Sequence, residues 1–304
     1  MVCRERDRSL PNSMVVSWVL RSRRRLPFGV PLDGEWEYRW NQCAVMGIVN
    51  VTTDSFSDGG LYRSTEAAIA HARGLVHAGA AVVDVGGEST RPGAEGVDLI
   101  GELARVLPVV EALAGDDNVL VSVDTCKPAV AQAAIAAGAH LVNDISGLSD
   151  REMIEVCALT GTPVVIMHMQ GTPATMQRSP RYHDVVAEVA DFLESQAEMA
   201  LSAGVPSVMI DPGIGFGKTL DHNLSLLRAQ PISRRFPVLI GLSRKKLIGT
   251  IADIADPSLR DSASLAAHLD AARRGVAMLR VHDVVGNIGA LAVQSKLLEP
   301  DRPE

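Results

Sequence analysis

The stretch AVMGIVNVTTDSFSDGG, residues 44–60, joins an apolar run of strand length to a long polar loop. From Asn50 onward, eleven residues carry two carboxylates, one amide, four hydroxyls and one phenylalanine and end in a Gly-Gly pair. A run this apolar is typical of a strand that is buried on both faces in a parallel sheet. A loop with so many hydrogen-bonding groups is longer and more polar than a simple turn requires.

The same pattern of an apolar run with a polar end occurs eight times along the chain. The runs are AVMGIVN (44–50), AVVDVGG (81–87), VLVSVDT (119–125), HLVNDIS (140–146), PVVIMHM (163–169), VMIDPG (208–213), PVLIGLS (237–243) and AMLRVHD (277–283). Ala-rich helical segments separate them, and several end in glycine, as a left-handed helix C-cap requires. Eight strand–helix units predict an α/β protein with a (β/α)8 TIM barrel. An open doubly wound sheet is the alternative, and the lack of a GxGxxG motif after the first strand disfavours it.

Length and composition fit a single domain of this kind. The chain has 304 residues, 47% of them hydrophobic, which is enough to bury the core of one barrel. We expect an N-terminal extension over residues 1–42, the barrel over 43–297 and a C-terminal tail over 298–304. The extension is rich in arginine and contains all three tryptophans, and we expect it to be partly disordered or to cap one end of the barrel.

Charge and cysteine usage exclude several classes of partner and compartment. A net charge of −7 argues against nucleic acid as the main partner. The four cysteines form no CxxC pair and no metal-ligand spacing, which is typical of reduced thiols in a cytoplasmic protein. The apolar run at residues 14–20 is far shorter than the ~20 residues of a membrane span. The basic sequence RSRRRLP follows it instead of a small-residue cleavage site, so we expect a cytoplasmic protein without a membrane partner.

Polar residues at the strand ends indicate the position of the functional site. In a (β/α)8 barrel the active site is built from the carboxyl ends of the strands and the loops after them. Polar groups buried at such positions cost several kcal/mol each when they are unpaired, so eight polar strand ends in register are informative. Lys245 could form a Schiff base, but its SRK context and the expected absence of a second buried lysine argue against that role.

The candidate site residues divide into two chemical groups. Arg91, Arg280 and His282 are cationic or can become so, and arginine binds phosphate oxygens through paired N–H groups. Asn50 offers a neutral oxygen suited to Mg²⁺, which takes its other ligands from water and substrate phosphates. A mixture of acceptors and donors suits the edge of a planar, nitrogen-rich heterocycle and comes from Asp124, Asn143, Asp211 and Lys245. Together the groups predict a substrate with a heterocyclic end and a diphosphate end.

A family resemblance agrees with this substrate chemistry. The motifs NVTTDSFSDGG, DVGGESTRPGA, SVDT, NDIS, MHMQGTP, DPGIGFGK, GLSRKKLIG and RVHDV, in this order, resemble those of the dihydropteroate synthases. The likeness covers roughly residues 43–297 and is specific, because separate motifs fall on separate strands. It implies a TIM barrel, usually a homodimer, that uses Mg²⁺. It also implies a reaction that joins 4-aminobenzoate to (7,8-dihydropterin-6-yl)methyl diphosphate and releases diphosphate.

The resemblance further implies a role for each matching residue. Asn50 matches the magnesium ligand, and the pterin pocket matches Asp124, Asn143, Asp211 and Lys245. The diphosphate pocket matches Thr90, Arg91, Arg280 and His282, and the 4-aminobenzoate site matches Phe56, Thr90, Pro92, Phe216 and Ser243. The residues that we expect to contribute to catalysis are Asp58, Arg91, Asp211 and Lys245.

The first loop explains the long polar segment and contains one departure from the family. Phe56 and Asp58 lie in it, and we expect it to close over the bound diphosphate and exclude water. Thr53 replaces the proline that is common in the family, which frees one backbone angle and adds an N–H. We therefore expect a more flexible open loop and unchanged chemistry.

Two other functions remain open at this point. A pterin-binding methyltransferase that moves a methyl group from methyltetrahydrofolate to a corrinoid would share Asp124, Asn143 and Asp211. It would have no need for the cationic set around Arg280 and His282. A catalytically silent paralogue that only binds pterin is the second alternative, and the intact cationic set weakens it.

Overall fold

The computed structural model describes residues 17–51, 65–89 and 96–299. A small antiparallel sheet comes first and consists of β1 (Trp18–Ser22), β2 (Val30–Leu32) and β3 (Glu35–Trp40). The parallel strands that follow are β4 (Ala44–Asn50), β5 (Val82–Gly86), β6 (Leu120–Asp124), β7 (Leu141–Asp144), β8 (Val164–Met167), β9 (Val208–Asp211), β10 (Leu239–Gly241) and β11 (Met278–Val281). The helices in these ranges are α1 (Thr65–His77), α2 (Leu99–Leu113), α3 (Pro128–Ala137), α4 (Arg151–Thr160), α5 (Val185–Ser202), α6 (Leu220–Arg228), α7 (Lys246–Ala252), α8 (Asp261–Arg273) and α9 (Val284–Leu298).

The parallel strands form a closed ring. Pairing runs in the order β10-β11-β4-β5-β6-β7-β8-β9. A parallel bridge between Ile210 and Val238 joins the two ends, and the Ile210 N–H donates to the Pro237 carbonyl at 3.0 Å. The predicted (β/α)8 TIM barrel is therefore confirmed, and each of the eight strands lies within its predicted run. The open doubly wound sheet is wrong.

Local sequence signals set the ends of the helices. Helix α3 begins at Pro128, whose fixed backbone angle suits a first helical position, and it ends at Ala137, where Gly138 caps it with φ of 117°. Helix α5 begins after Asp184, whose carboxylate accepts hydrogen bonds from the N–H groups of Val186 and Ala187. No helix in the described ranges is both long and apolar enough to cross a membrane.

Side chains along each strand alternate between the barrel interior and the layer beneath the helices. On β6, Val121 and Val123 belong to the outer core, whereas Leu120 belongs to the inner one. The inner core at the amino ends of the strands is an apolar layer formed by Met46, Val82, Leu120, Leu141, Val165, Met209, Leu239 and Met278. Two residues further along the strands, the alternation brings polar residues inward, which are Asp84, Ser122, Asn143, Asp211 and Arg280. The floor of the candidate site is thus polar and rests on an apolar layer.

The antiparallel sheet lies at the amino end of the barrel. Trp18, Leu20 and Trp40 join the inner apolar layer, and the Trp40 indole N–H donates to the Ala277 carbonyl at 2.9 Å. The Ser22 hydroxyl donates to the Gly161 carbonyl at 3.0 Å. These contacts fix the sheet over the end of the barrel opposite the candidate site.

Candidate active site

The register of the parallel strands brings the polar floor together. Asp84 on β5 pairs with Ser122 on β6, and Asp124 on β6 pairs with Asn143 on β7. Neighbouring strands lie about 4.8 Å apart, so side chains that point inward from paired positions are within reach of one another. Asp211 lies at the end of β9. Three of the four predicted pterin residues, Asp124, Asn143 and Asp211, therefore lie on the inner face at the strand ends.

Arg280 on β11 connects two carboxylates of this floor. Its Nε donates to Asp84 Oδ2 and its Nη2 donates to Asp124 Oδ2, each at 2.6 Å. Asn143 Nδ2 donates to the same Asp84 oxygen at 2.9 Å. Asp84 is fully buried, and its second oxygen, Oδ1, has no hydrogen-bond partner among the described residues. Asp84 thus orients both Arg280 and Asn143, a role that its position in the sequence did not predict.

Burial and charge act in opposite directions on this cluster. Burial raises the pKa of Asp124 to about 7, while the charge of Arg280 lowers it and the neighbouring carboxylates add to the rise. Burial alone would lower the pKa of Arg280, but Coulombic attraction to Asp84 and Asp124 raises it overall. Arg280 is therefore a permanent cation inside the barrel, and burial holds the pKa of Asp124 above the usual range of an aspartate.

A second charged group lies at the ends of β9 and β10. Burial raises the pKa of Asp211, although the charge of Lys245 opposes the rise, and the Gly213 N–H donates to Asp211 Oδ1 at 2.7 Å. Burial lowers the pKa of Lys245 to about 8, against the attraction of Asp211. Lys245 Nζ donates to the Ile214 carbonyl at 2.5 Å and lies 4.6 Å from the centre of the Phe216 ring. The structure therefore brings Asp211, Lys245 and Phe216 together.

Ser243 and His282 form a pair at the ends of β10 and β11. The Ser243 hydroxyl oxygen lies 2.9 Å from His282 Nδ1 and accepts the His282 backbone N–H at 3.2 Å. His282 follows Arg280 by two residues, so the two cationic candidates lie on consecutive inner-facing positions. A residue predicted at the 4-aminobenzoate site thus contacts one predicted at the diphosphate site.

A second buried lysine lies beside this group, contrary to the sequence-based expectation that none exists. Lys218 is 3% exposed, and its Nζ donates to the Phe216 carbonyl at 2.9 Å and to the His168 carbonyl at 3.3 Å. The same Nζ lies 2.9 Å from His168 Nδ1, and burial lowers the pKa of His168 to about 3, so the imidazole is neutral at physiological pH. Lys218 is the last residue of the DPGIGFGK motif, and nothing in the sequence of this motif indicates that the lysine is buried.

Glycines allow the loop after β9 to pack closely against the end of β8. Gly213 has φ of 65°, and a Cβ there would lie 1.9 Å from the His168 carbonyl oxygen. Gly217 has φ of 61°, and a Cβ there would lie 2.6 Å from the Gln170 carbonyl oxygen. Side chains at either position would separate the loop from β8 and move Phe216.

Several predicted residues lie outside the described residues, and the structure places only part of the predicted magnesium site. The residues outside are Thr53, Phe56, Asp58, Thr90, Arg91 and Pro92. Asn50 ends β4, in register with Gly86. In the described part of the chain, no three or more His, Cys, Asp and Glu side chains form a group that could hold a metal ion. One amide oxygen fits Mg²⁺ only if a substrate diphosphate supplies further ligands, which is how this ion commonly binds.

Comparison with known proteins gives a consistent result. The model of the family described as "Pterin binding enzyme" matches residues 46–282. The dihydropteroate synthase of Escherichia coli K12 is 49% identical over 253 residues, which cover 82% of this chain and 89% of that protein.

Solved structures agree with the sequence matches. The Xanthomonas albilineans dihydropteroate synthase with 4-aminobenzoic acid has a TM-score of 0.80 at 46% identity, covering 87% of this chain and 96% of that one. The same organism's enzyme in complex with 7,8-dihydropteroate has a TM-score of 0.78 at 43% identity, covering 87% of this chain and 97% of that one.

Proposed function

Because this chain belongs to the pterin-binding enzyme family, we propose that it catalyses the dihydropteroate synthase reaction of folate biosynthesis. In this reaction the 7,8-dihydropterin-6-ylmethyl group moves from its diphosphate ester to the amine of 4-aminobenzoate. The observation that carries the proposal is the buried polar floor of Asp124, Asn143 and Asp211 beside the cation Arg280. A flat ring rich in N–H groups and an attached anion fit this arrangement of acceptors and a cation.

The pterin ring occupies the polar floor in this proposal. Asp124 and Asp211 accept hydrogen bonds from ring N–H and exocyclic amine groups, and Asn143 supplies both a donor and an acceptor. Lys245 donates to a ring heteroatom from the opposite edge. A bound pterin replaces water around Asp124 and Asp211, so that their burial cost is offset by hydrogen bonds to the ligand.

The diphosphate lies next to the pterin, on the side of Arg280 and His282. Arg280 contacts Asp124 at 2.6 Å, so one guanidinium borders both ends of the substrate. Arg91 and Thr90 complete this pocket in the proposal. Asn50 would hold Mg²⁺ together with the diphosphate, and the ion would neutralise charge on the leaving group.

We propose a dissociative substitution. The C–O bond between the pterin methylene and the diphosphate breaks first, and its electron pair leaves with the diphosphate oxygen. Asp124 and Asp211 stabilise the cationic pterin, while Arg280 and His282 stabilise the departing anion. The amine of 4-aminobenzoate is neutral at pH 7 because arylamines are weak bases. It supplies the electron pair of the new C–N bond, and the protonated nitrogen then releases its extra proton to solvent.

A product assay tests the activity. Purified protein with the pterin diphosphate, 4-aminobenzoate and Mg²⁺ should form 7,8-dihydropteroate and diphosphate in equal amounts. Asp124→Asn should reduce kcat/KM by about 100-fold or more, as expected for a buried charged contact to substrate. The matched control is Asp191→Asn on the exposed face of α5, which should leave kcat/KM unchanged. A wild-type protein that forms no product would refute the proposal.

An isotope measurement tests the dissociative order of steps. Deuterium on the pterin methylene should give a normal secondary isotope effect on kcat/KM, because the carbon becomes planar before the amine attacks. An isotope effect of unity or below, under conditions where chemistry limits the rate, would instead support attack concerted with C–O cleavage.

A further inference from the structure

Arg244 has a strained backbone conformation between two residues of the site. Its φ is 60°, in the left-handed region that residues other than glycine adopt at a cost in free energy. The residues on either side are Ser243, which contacts His282, and Lys245, which contacts the Ile214 carbonyl. The directions of the Ser243 and Lys245 side chains therefore depend on keeping this conformation.

Asp261 and Ser264 on α8 hold Arg244. The guanidinium makes two parallel hydrogen bonds to the Asp261 carboxylate, Nε to Oδ1 at 2.8 Å and Nη2 to Oδ2 at 2.9 Å. The Arg244 backbone N–H donates to Ser264 Oγ at 3.0 Å, and Ser264 is 2% exposed. Both the side chain and the N–H of the strained residue are thus attached to the first turn of one helix.

Arg260, just before α8, holds the carbonyl side of the same residue. Its Nη1 donates to the Arg244 carbonyl at 3.0 Å, and its Nε donates to the Ile254 carbonyl at 2.9 Å. Arg244 precedes α7 and Ile254 follows it, so one buried guanidinium binds the chain at both ends of this short helix. A Cβ at Gly249 in α7 would lie 2.4 Å from Arg260 Nε, which shows how closely the helix packs on it.

We infer that Arg260, Asp261 and Ser264, here called the α8 clamp, are positioning residues that hold Ser243 and Lys245 in their binding geometry. The inference rests on the proposed function, in which Lys245 donates to the pterin, and on the family resemblance, which implies that Ser243 lies at the 4-aminobenzoate site. None of the three clamp residues lies on the inner face of a barrel strand. Their effect passes through Arg244.

A purely stabilising role fits the geometry less well. The Asp261 side chain is 31% exposed and that of Arg244 is 14% exposed, and ion pairs near the surface contribute little to stability. The pair is nevertheless bidentate and sits on the one strained residue between two site residues. The geometry of the pair is therefore suited to fixing the directions of the Ser243 and Lys245 side chains.

Substitution of Asp261 tests the inference. Asp261→Ala should raise the KM for 4-aminobenzoate and for the pterin diphosphate by about tenfold, since releasing a strained residue lets the turn relax. The thermal unfolding midpoint should change little. The matched control is Asp270→Ala on the same helix, which breaks pairs with Arg273 and Arg274 away from the site. This control should leave both KM values unchanged.

Glycine rescue separates a positioning role from a structural one. In the Asp261→Ala background, Arg244→Gly should return both KM values to within about twofold of wild type, because glycine adopts positive φ without strain. Equal KM values for Asp261→Ala and Asp270→Ala would overturn the inference, and so would failure of the rescue. If Asp261→Ala, Ser243→Ala and Lys245→Met all leave both KM values unchanged, the proposed function fails together with the inference. If they raise KM while Asp261→Ala does not, only the inference fails.

Discussion

Replacement of Lys218 by methionine should change how the stability of this protein depends on pH. Lys218 is 3% exposed, and burial lowers its pKa from 10.5 to about 7, with the charge of Lys245 adding to the effect and that of Asp211 opposing it. Between these two pH values the folded protein holds a neutral amine, whereas the unfolded chain binds a proton. Unfolding therefore takes up a proton, and the stability contributed by this group rises with pH.

The size of the effect follows from the two pKa values. A depressed lysine pKa lowers stability most below about pH 7, where a buried ammonium must be kept, and this cost disappears as the pH approaches 10.5. Each pH unit within the window changes the unfolding free energy by up to about 1.4 kcal/mol. From pH 7 to pH 9, wild type should gain about 2 kcal/mol relative to Lys218→Met, because the group is half-protonated at the lower limit.

Urea unfolding of wild type and variant at pH 7 and pH 9 measures this difference directly. Other titrating groups occur in both proteins and largely cancel in the comparison. Lys246→Met, at an exposed position on α7, is the matched control and should show no such change relative to wild type. If the stability difference between wild type and Lys218→Met is the same at both pH values, the account of a buried, desolvated lysine is wrong.

Three further perturbations test separate parts of the structure. Because burial raises the pKa of Asp124 to about 7, kcat/KM for the pterin diphosphate should decrease as the pH is lowered past 7 and the Asp124 carboxylate gains a proton. A kcat/KM that stays constant down to pH 5 would contradict this. Arg280→Gln removes the charge that lowers that pKa, so the acidic limb should move to higher pH in the same assay, and an unmoved limb would show that the pair is not electrostatically coupled. Trp18→Ala in the antiparallel sheet should lower the unfolding free energy by about 3–5 kcal/mol in urea denaturation, and a loss below about 1 kcal/mol would show that the sheet packs loosely.

The barrel could be predicted because one sequence pattern, an apolar run with a polar end, marks both the strands and the position of the site. In VLVSVDT the alternation places Leu120, Ser122 and Asp124 inward and valines outward, and the structure has this arrangement. The apolar residues then form the inner layer and the polar ones form the floor above it. Because five of the eight strands carry an inward polar residue above this apolar layer, the sequence also indicated which end of the barrel holds the site.

Contacts between strands that are distant in sequence could not be read in the same way. Charge and the family resemblance predict Arg280 at the diphosphate and Asp124 at the pterin. In the structure these two residues are bonded at 2.6 Å, and Asp84, to which no role was given, holds Arg280 as well. Pairing of the last strand, β11, with β4 places the Arg280 guanidinium within reach of the carboxylates of Asp84 on β5 and Asp124 on β6.

The sequence of the amino-terminal sheet contains a pattern that indicates a strand. In EWEYRW, aromatic residues alternate with charged ones, as in a strand with one apolar face. The prediction of an extension over residues 1–42 did not include these strands. The lid over residues 50–60, the magnesium ion and the homodimer stay predictions.

The most direct measurement of the central claim compares the affinity of two ligands by calorimetry. One is the pterin diphosphate and the other is 6-hydroxymethyl-7,8-dihydropterin, which has the ring without the diphosphate. Asp211→Asn should reduce the affinity for both ligands by the same factor, whereas His282→Ala should reduce the affinity only for the diphosphate ester. Unchanged binding of the alcohol to Asp211→Asn would contradict a pterin bound on the polar floor of the barrel.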